Sequence, residues 1–340
     1  MGHGDPRREY QAGVKATMAT MKPRRVDVHH HFLPRAYMAE EQDRIAGYKH
    51  SGANREKLLG WTPELAIEVM DANCIACAIG SVSTPGVWFG DIRAARRLSR
   101  TWNEAAARAV HDHPGRFGFF AVATPPDTEG ALAEIEYALD TLKADGVGLL
   151  SNYDGKSLGD PSFIPIFEEL NRRKCVVYVH PTMHPCTATL IPGLVPQGVE
   201  FPFDTTRTIT SLVLNGTLAR FPDIKFIFSH GGGALPFLAA RIDHVGARDA
   251  TFSARNPGGI KRELRRLYCD TALASSGPQM AAMLAFFPAS HVLFGSDYPF
   301  CDPAHEVAEL DDYPLTGAMR AAIESENALA LFPRLRKDRA

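Results

Sequence analysis

A membrane-spanning helix needs about 18 or more consecutive apolar residues. The 340-residue sequence contains no apolar run of that length. Its formal net charge is only -2, so no basic excess argues for binding to nucleic acid or to an anionic membrane. Residues 1–24 lack the apolar middle segment of a secretory signal. We therefore expect a cytoplasmic protein with a flexible tail, residues 1–24, and a single folded domain, residues 25–340.

The sequence also lacks the cysteine arrangement of a zinc-binding loop. It has six cysteines, and among them Cys74 and Cys77 have CxxC spacing. No second CxxC completes such a site, and this pair lies in an apolar stretch typical of a buried strand. We expect buried, reduced thiols, which suit a cytoplasmic protein.

Strand-like and helical stretches alternate along the chain after the tail. Short β-branched or aromatic runs such as 117–123, 175–180 and 225–229 are each followed by a helical pattern. The eightfold alternation predicts a (β/α)8 TIM barrel with an N-terminal tail and inserted loops. An open, doubly wound sheet is the alternative. It is less favoured because no glycine-rich phosphate-binding motif follows the first strand.

Histidine and aspartate residues stand where four of the predicted strands end. His29 and His31 close the first strand. His180 closes the fifth, His230 the sixth and Asp297 the eighth. The carboxyl-terminal strand ends of such a barrel meet at one face, where active sites are built. Polar side chains buried there cost free energy unless they are hydrogen-bonded or bound to a cation.

Three neutral imidazoles and one carboxylate form a suitable set of ligands for a divalent ion, with Zn²⁺ as the first choice and Mn²⁺ as the alternative. We predict that His29, His31, His180 and Asp297 bind one such ion. Each residue alone also has a structural explanation. His180 can be a hydrogen-bonded core histidine, and Asp297 can cap a turn.

Two sequence blocks resemble the amidohydrolase superfamily, and within it the decarboxylase branch that includes aminocarboxymuconate-semialdehyde decarboxylase. They are FSHGGGALPF at 228–237 and FGSDYPF at 294–300. The resemblance extends from about residue 26 to about residue 332. The segments 83–86, 152–155 and 200–206 look most like the 6-methylsalicylate decarboxylase subgroup. The resemblance implies a one-metal site, because 147–152 offers no lysine or glutamate to bridge a second ion.

The resemblance implies non-oxidative removal of CO₂ from a hydroxybenzoate-type aromatic acid similar to 6-methylsalicylate. A bound metal would orient the acid, and either His230 or Asp297 would deliver the proton to the ring. The resemblance also implies a homodimer in which Arg241 reaches the substrate of the neighbouring subunit. Trp88 and Phe300 are candidates for the apolar walls of the ring site.

Two other functions remain open from the sequence. An open one-metal site beside a histidine can also activate water for the hydrolysis of a lactone or an amide. A metal-dependent binding protein would keep the same ligands without turnover, although it would have no use for His230.

Overall fold

Eight parallel strands, each paired with the next along the chain, form a barrel in the computed structural model, which describes residues 24–47, 55–187, 191, 193 and 195–337. Apart from Arg24, the predicted flexible tail lies outside the described residues. The strands are β1 (Arg25–His31), β2 (Ile75–Ser81), β3 (Phe117–Val122), β4 (Gly146–Leu150), β5 (Val176–His180), β6 (Lys225–Phe228), β7 (Tyr268–Asp270) and β8 (Val292–Leu293).

Backbone hydrogen bonds between β1 and the chain that follows β8 close this barrel. The amide of Val28 donates to the carbonyl of Phe294 at 3.0 Å, and the amide of His31 donates to the carbonyl of Tyr298 at 2.7 Å. An isolated parallel bridge joins His30 and Tyr298. The predicted (β/α)8 class is therefore confirmed.

Helices cover the outside of the barrel between the strands. Two of these helices begin with a side chain that caps the first turn. The Thr62 hydroxyl accepts a hydrogen bond from the first turn of one helix, and the Asp91 carboxylate does the same for another. The helices are α1 (Arg35–Gly47), α2 (Arg55–Leu59), α3 (Pro63–Ala72), α4 (Ile92–Asp112), α5 (Thr128–Asp140), α6 (Ile164–Arg172), α7 (Glu200–Leu214), α8 (Thr217–Arg220), α9 (Leu235–Gly246), α10 (Ala250–Arg255), α11 (Ile260–Leu264), α12 (Gly277–Phe286), α13 (Pro303–Asp312), α14 (Gly317–Ala321), α15 (Asn327–Leu331) and α16 (Pro333–Lys337).

The interior of the barrel is a separate apolar cluster that includes Val26, Val28 and Tyr178. Strict alternation along β1 predicts that Val28 and His29 lie on opposite faces. This prediction is wrong. Tyr178 lies in the barrel interior, in one cluster with Val28. The His29 ring centroid is 5.5 Å from that of Tyr178, so His29 faces the interior as well. The register of β1 against β2 shifts between Asp27 and His30, and this irregularity allows both side chains to face the interior.

The six cysteines follow the expectation of buried thiols only in part. All six thiols are free, four of them buried, with Cys301 partly buried and Cys186 exposed. Among the described residues, no helix has both the length and the apolar character needed to cross a membrane.

Candidate metal centre

Four of the predicted ligands come together at the carboxyl-terminal end of the barrel. His29, His31, His180 and Asp297 are buried, and one ligand atom of each lies within 4.8 Å of the others. Nε2 of His29 is 3.2 Å from Nε2 of His31, and Oδ1 of Asp297 is 3.1 Å and 3.0 Å from these two nitrogens. Neighbouring ligands of an ion bound at about 2.0–2.1 Å are separated by roughly 3.0–3.4 Å. The group is therefore compact enough to share one ion.

The three imidazole rings are held so that Nε2 is the atom each offers to this group. Nδ1 of His29 lies 3.0 Å from Oδ2 of Asp270, and Nδ1 of His31 lies 3.1 Å from Oγ of Ser81. Nδ1 of His180 donates to the next backbone carbonyl at 2.8 Å. An acceptor at Nδ1 keeps a proton there and orients the ring, as is usual for metal-binding histidines.

The protonation states also suit a divalent ion. Burial lowers the pKa of His31 to about 4 and that of His180 well below its usual value, so both rings are neutral near pH 7. Burial opposes ionisation of Asp297, but His29 and the other imidazoles outweigh it and hold the pKa of Asp297 well below normal. Burial likewise opposes protonation of His29, yet Asp270 and Asp297 raise its pKa to about 10. A cation entering the group would displace the Nε2 proton of His29.

His230 lies beside the four ligands. Its Nε2 is 3.6 Å from Oδ2 of Asp297, and its ring centroid is 4.8 Å from that of His29. Its Nδ1 is buried and has no hydrogen-bond partner among the described residues. The tight backbone after it requires glycine, because a Cβ at Gly233, where φ is +65°, would lie 2.2 Å from the carbonyl oxygen of Pro202.

Asp270, at the end of β7, is a site residue that the sequence pattern did not indicate. Its buried carboxylate accepts hydrogen bonds from Nδ1 of His29 at 3.0 Å and from the Tyr178 hydroxyl at 3.2 Å. It also accepts from the backbone amides of His230 and Ala272 at 3.0 Å and 3.1 Å. Asp270 therefore touches both a predicted metal ligand and the residue predicted to carry a proton.

A cavity of about 190 Å³ opens beside the predicted ligands. His180, His230 and Asp297 contribute to its wall. The remaining lining has a polar part and an apolar part, which together comprise Ser83, Thr84, Gln197, Gly198, Phe201, Pro202, Gly233, Leu273, Gln279, Phe300 and Cys301. The cavity suits a small molecule with an apolar ring and one polar edge directed at the ligands.

Among the three predicted substrate-binding residues, Phe300 lines this cavity, and its ring centroid is 5.2 Å from that of His31. Trp88 does not. It lies in the loop after β2, where its Nε1 donates to Asp154 at 2.8 Å. Arg241 is exposed on α9, outside the cavity of its own chain. Contacts of Trp88 and Arg241 with a substrate stay predictions.

Comparisons with known proteins agree with this arrangement. The sequence model of the amidohydrolase family matches residues 26–334. The chain is 38% identical to 6-methylsalicylic acid decarboxylase of Penicillium expansum, over 92% of this chain and 97% of that protein. It is 37% identical to the decarboxylase yanB of Aspergillus niger, over 91% of this chain and 88% of that protein.

A solved structure shows the same fold. The dihydroxybenzoic acid decarboxylase of Polaromonas sp., determined with bound manganese and the inhibitor 2-nitroresorcinol, superposes with a TM-score of 0.81 at 24% identity. The alignment covers 92% of this chain and 97% of that one. The fold is thus shared over most of both chains.

Proposed function

Because this chain belongs to the amidohydrolase family, we propose that it is a metal-dependent, non-oxidative decarboxylase of a hydroxybenzoate-type aromatic acid. The products are a phenol and CO₂. Relatives more than a third identical are decarboxylases, one of them acting on 6-methylsalicylic acid, so 6-methylsalicylate is the first substrate to test. The observation that carries the proposal is the convergence of four ligand atoms beside a small cavity that His230 also lines.

In this proposal His29, His31, His180 and Asp297 hold one divalent ion. Their nitrogen and oxygen atoms suit Zn²⁺ best, with Mn²⁺ as the alternative. A bound ion supplies the positive charge that binds the carboxylate and ortho-hydroxyl oxygens of the substrate. Metal analysis of the purified protein identifies the ion.

His230 brings the proton that the reaction needs. Each turnover replaces a bond from the ring to the carboxylate by a bond to hydrogen, so one proton enters for each CO₂ released. The proton adds to the ring carbon, and the electron pair of the breaking carbon–carbon bond then returns to the ring. Because Asp297 is ionised and its Oδ2 lies 3.6 Å from Nε2 of His230, the proton travels either directly from His230 or through Asp297.

The cavity wall favours a substrate with one carboxylate. No arginine or lysine is among the lining residues in the part of the chain that the structure describes. Phe201, Phe300 and Leu273 offer apolar surface to an aromatic ring, while Ser83 and Thr84 provide a hydroxyl-bearing edge. Thr84 Oγ1 lies 2.7 Å from Thr182 Oγ1, so this edge is held in place. A monocarboxylate with an apolar ring substituent fits such a wall better than a dicarboxylate.

The test is a substrate panel with the metal-loaded protein. We expect CO₂ and 3-methylphenol from 6-methylsalicylate, measured by chromatography, and slower turnover of salicylate and 2,6-dihydroxybenzoate. His230→Asn is expected to lower kcat by roughly 10²–10⁴-fold while leaving metal content unchanged. Consumption of lactones or amides alone would support the less favoured hydrolase function and contradict the proposal.

We also propose that the protein forms a homodimer through α9. Phe237 is 86% exposed and Val245 59% exposed, and the exposed Arg241 lies between them at helical spacing. Burial of two large apolar side chains on one helix face by a partner is favourable in free energy. Sedimentation should show a dimer that Phe237→Ser converts to monomer, and a monomeric wild-type protein at micromolar concentration contradicts this proposal.

The proposed location is the cytoplasm. Six free thiols, four of them buried, suit a reducing compartment. Fractionation of cells that make the full chain tests this location.

A further inference from the structure

The hydrogen bonds of Asp270 divide evenly between its two oxygens. Oδ1 accepts hydrogen bonds from the backbone amides of His230 and Ala272. Oδ2 faces Nδ1 of His29 and the hydroxyl of Tyr178. The two amides can only donate, so Oδ1 must remain an acceptor. The Tyr178 hydroxyl donates its proton to Oδ2 at 3.2 Å, so Oδ2 is an acceptor as well.

We propose that Asp270 is a positioning residue that fixes a proton on Nδ1 of His29 and thereby directs Nε2 of that ring to the metal. Because Oδ2 of Asp270 is a hydrogen-bond acceptor, Nδ1 of His29 must be a donor. The same carboxylate holds the backbone of His230, so one rigid group sets the distance between the metal ligand and the proton carrier. The consequence for turnover rests on the proposed function, whereas the orientation of His29 does not.

Asp27, on strand β1, offers a matched control for Asp270. Its Oδ1 accepts the backbone amides of His29 and Ser296 at 3.0 Å each. Its Oδ2 lies 3.1 Å from Nδ1 of His30 and 2.5 Å from the Ser296 hydroxyl. The pattern is the same as at Asp270, but His30 is not among the four converging ligands. The two aspartates therefore differ in which histidine they orient.

Asparagine at position 270 has a specific expected effect. Its amide oxygen must face the two backbone amides, because an NH₂ group there would oppose two donors. The NH₂ group then faces His29 and donates to Nδ1. The proton of the neutral imidazole moves to Nε2, where it occupies the lone pair that a metal needs. Asp270→Ala imposes no such choice, since water can accept from Nδ1.

The experiment measures Co²⁺ binding to metal-stripped protein, with no substrate present. We expect Asp270→Asn to weaken Co²⁺ affinity by about 10–100-fold, and to change the visible Co²⁺ spectrum because His29 no longer coordinates. Asp27→Asn should keep wild-type affinity and spectrum despite a comparable loss of thermal stability. Asp270→Ala should bind Co²⁺ more tightly than Asp270→Asn, although it removes more hydrogen bonds.

A double variant makes the assignment sharper. In a His29→Ala background, Asp270→Asn should cause little further loss of Co²⁺ affinity, because both changes act through the same ligand. Additive losses, or equal affinities of wild type and Asp270→Asn, overturn the inference. If Asp270→Asn does not fold, Asp270→Ala takes its place. Weaker Co²⁺ binding than wild type, with no further loss in the His29→Ala background, supports the inference, and wild-type affinity overturns it. A protein that binds Co²⁺ as expected yet decarboxylates no hydroxybenzoate overturns the proposed function alone.

Discussion

Strand β1 places buried polar side chains at both ends of the barrel, and the two ends differ in how the hydrogen-bonding groups of these side chains are matched. At the amino-terminal end the Arg25 side chain is 1% exposed and donates to Asp311 at 3.1 Å and to Glu324 at 3.0 Å. At the carboxyl-terminal end, neutral His31 and ionised Asp297 place two acceptor atoms 3.0 Å apart. Acceptors there outnumber the protons available to them.

This difference separates a structural group from a functional one. At the amino-terminal end the buried Arg25 has anionic partners within the chain, so its charge is compensated without a ligand. The carboxyl-terminal end has more acceptor atoms than protons, and the proposed divalent ion would satisfy them. Burial alone would not distinguish the two ends. The match between donors and acceptors does, and it can be tested by breaking each end separately.

The largest effect is expected at the carboxyl-terminal end. His180→Asn should lower kcat/KM for 6-methylsalicylate by roughly 10³-fold or more, because loss of one ligand weakens a charge worth several kcal/mol to the reaction. The free energy of unfolding of the metal-free protein should fall by no more than about 2 kcal/mol. Kinetics measures kcat/KM, metal analysis measures the bound ion, and urea unfolding measures the free energy of unfolding. Normal turnover with normal metal content would remove His180 from the proposed ligands.

The opposite result is expected at the amino-terminal end. Glu324→Gln keeps the shape of the side chain but removes the charge that pairs with Arg24 at 2.5 Å and Arg25 at 3.0 Å. The buried Arg25 guanidinium keeps only the half-exposed Asp311 as its anionic partner, so the free energy of unfolding should fall by about 1–3 kcal/mol. Turnover per folded molecule should not change. Glu326→Gln, an exposed neighbour, is the control, and equal stabilities of the two variants contradict the assignment.

The sequence predicted much of the barrel because its strands are short apolar runs with distinct ends. The apolar run 146–150 predicts a strand, and β4 forms at those bounds. The run 291–297 predicts the eighth strand, yet only Val292–Leu293 forms a regular strand, because the chain beyond it bonds irregularly to β1. Helix α1 was not predicted, since Arg35–Gly47 has little apolar periodicity and forms through its packing against the rest of the protein.

The candidate site was predictable to the same extent. His180 and Asp297 end apolar stretches, and that local pattern is visible in the sequence. Asp270 also lies near the end of an apolar stretch, but three of its four partners are 241, 92 and 40 residues away in the chain. Contacts over such separations depend on the closed barrel, so no local periodicity indicates them. The exposure of Arg241 likewise follows from the direction of a helix face.

Glu306 on α13 is an intermediate case that sharpens the comparison. It lies at the catalytic end with both carboxylate oxygens buried, and neither has a hydrogen-bond partner among the described residues. Burial raises its pKa to about 8, only partly offset by nearby Ser275, and the neighbouring Glu309 and Asp297 charges add to the increase. Unlike the four ligands, it does not belong, among the described residues, to a group that could share a cation. It therefore accommodates burial by keeping its proton.

The smallest predicted effect follows from this proton. Glu306 ionises near pH 4.5 in the unfolded chain and near pH 8 in the folded protein. Between these values it therefore makes the free energy of unfolding fall as pH rises. Glu306→Gln removes that loss. Its advantage over wild type in metal-free urea unfolding should be absent below pH 4.5 and grow to the order of 1–3 kcal/mol by pH 8.5. Glu309→Gln should show no such trend, and a pH-independent difference for Glu306→Gln would mean that this carboxyl is ionised in the folded protein.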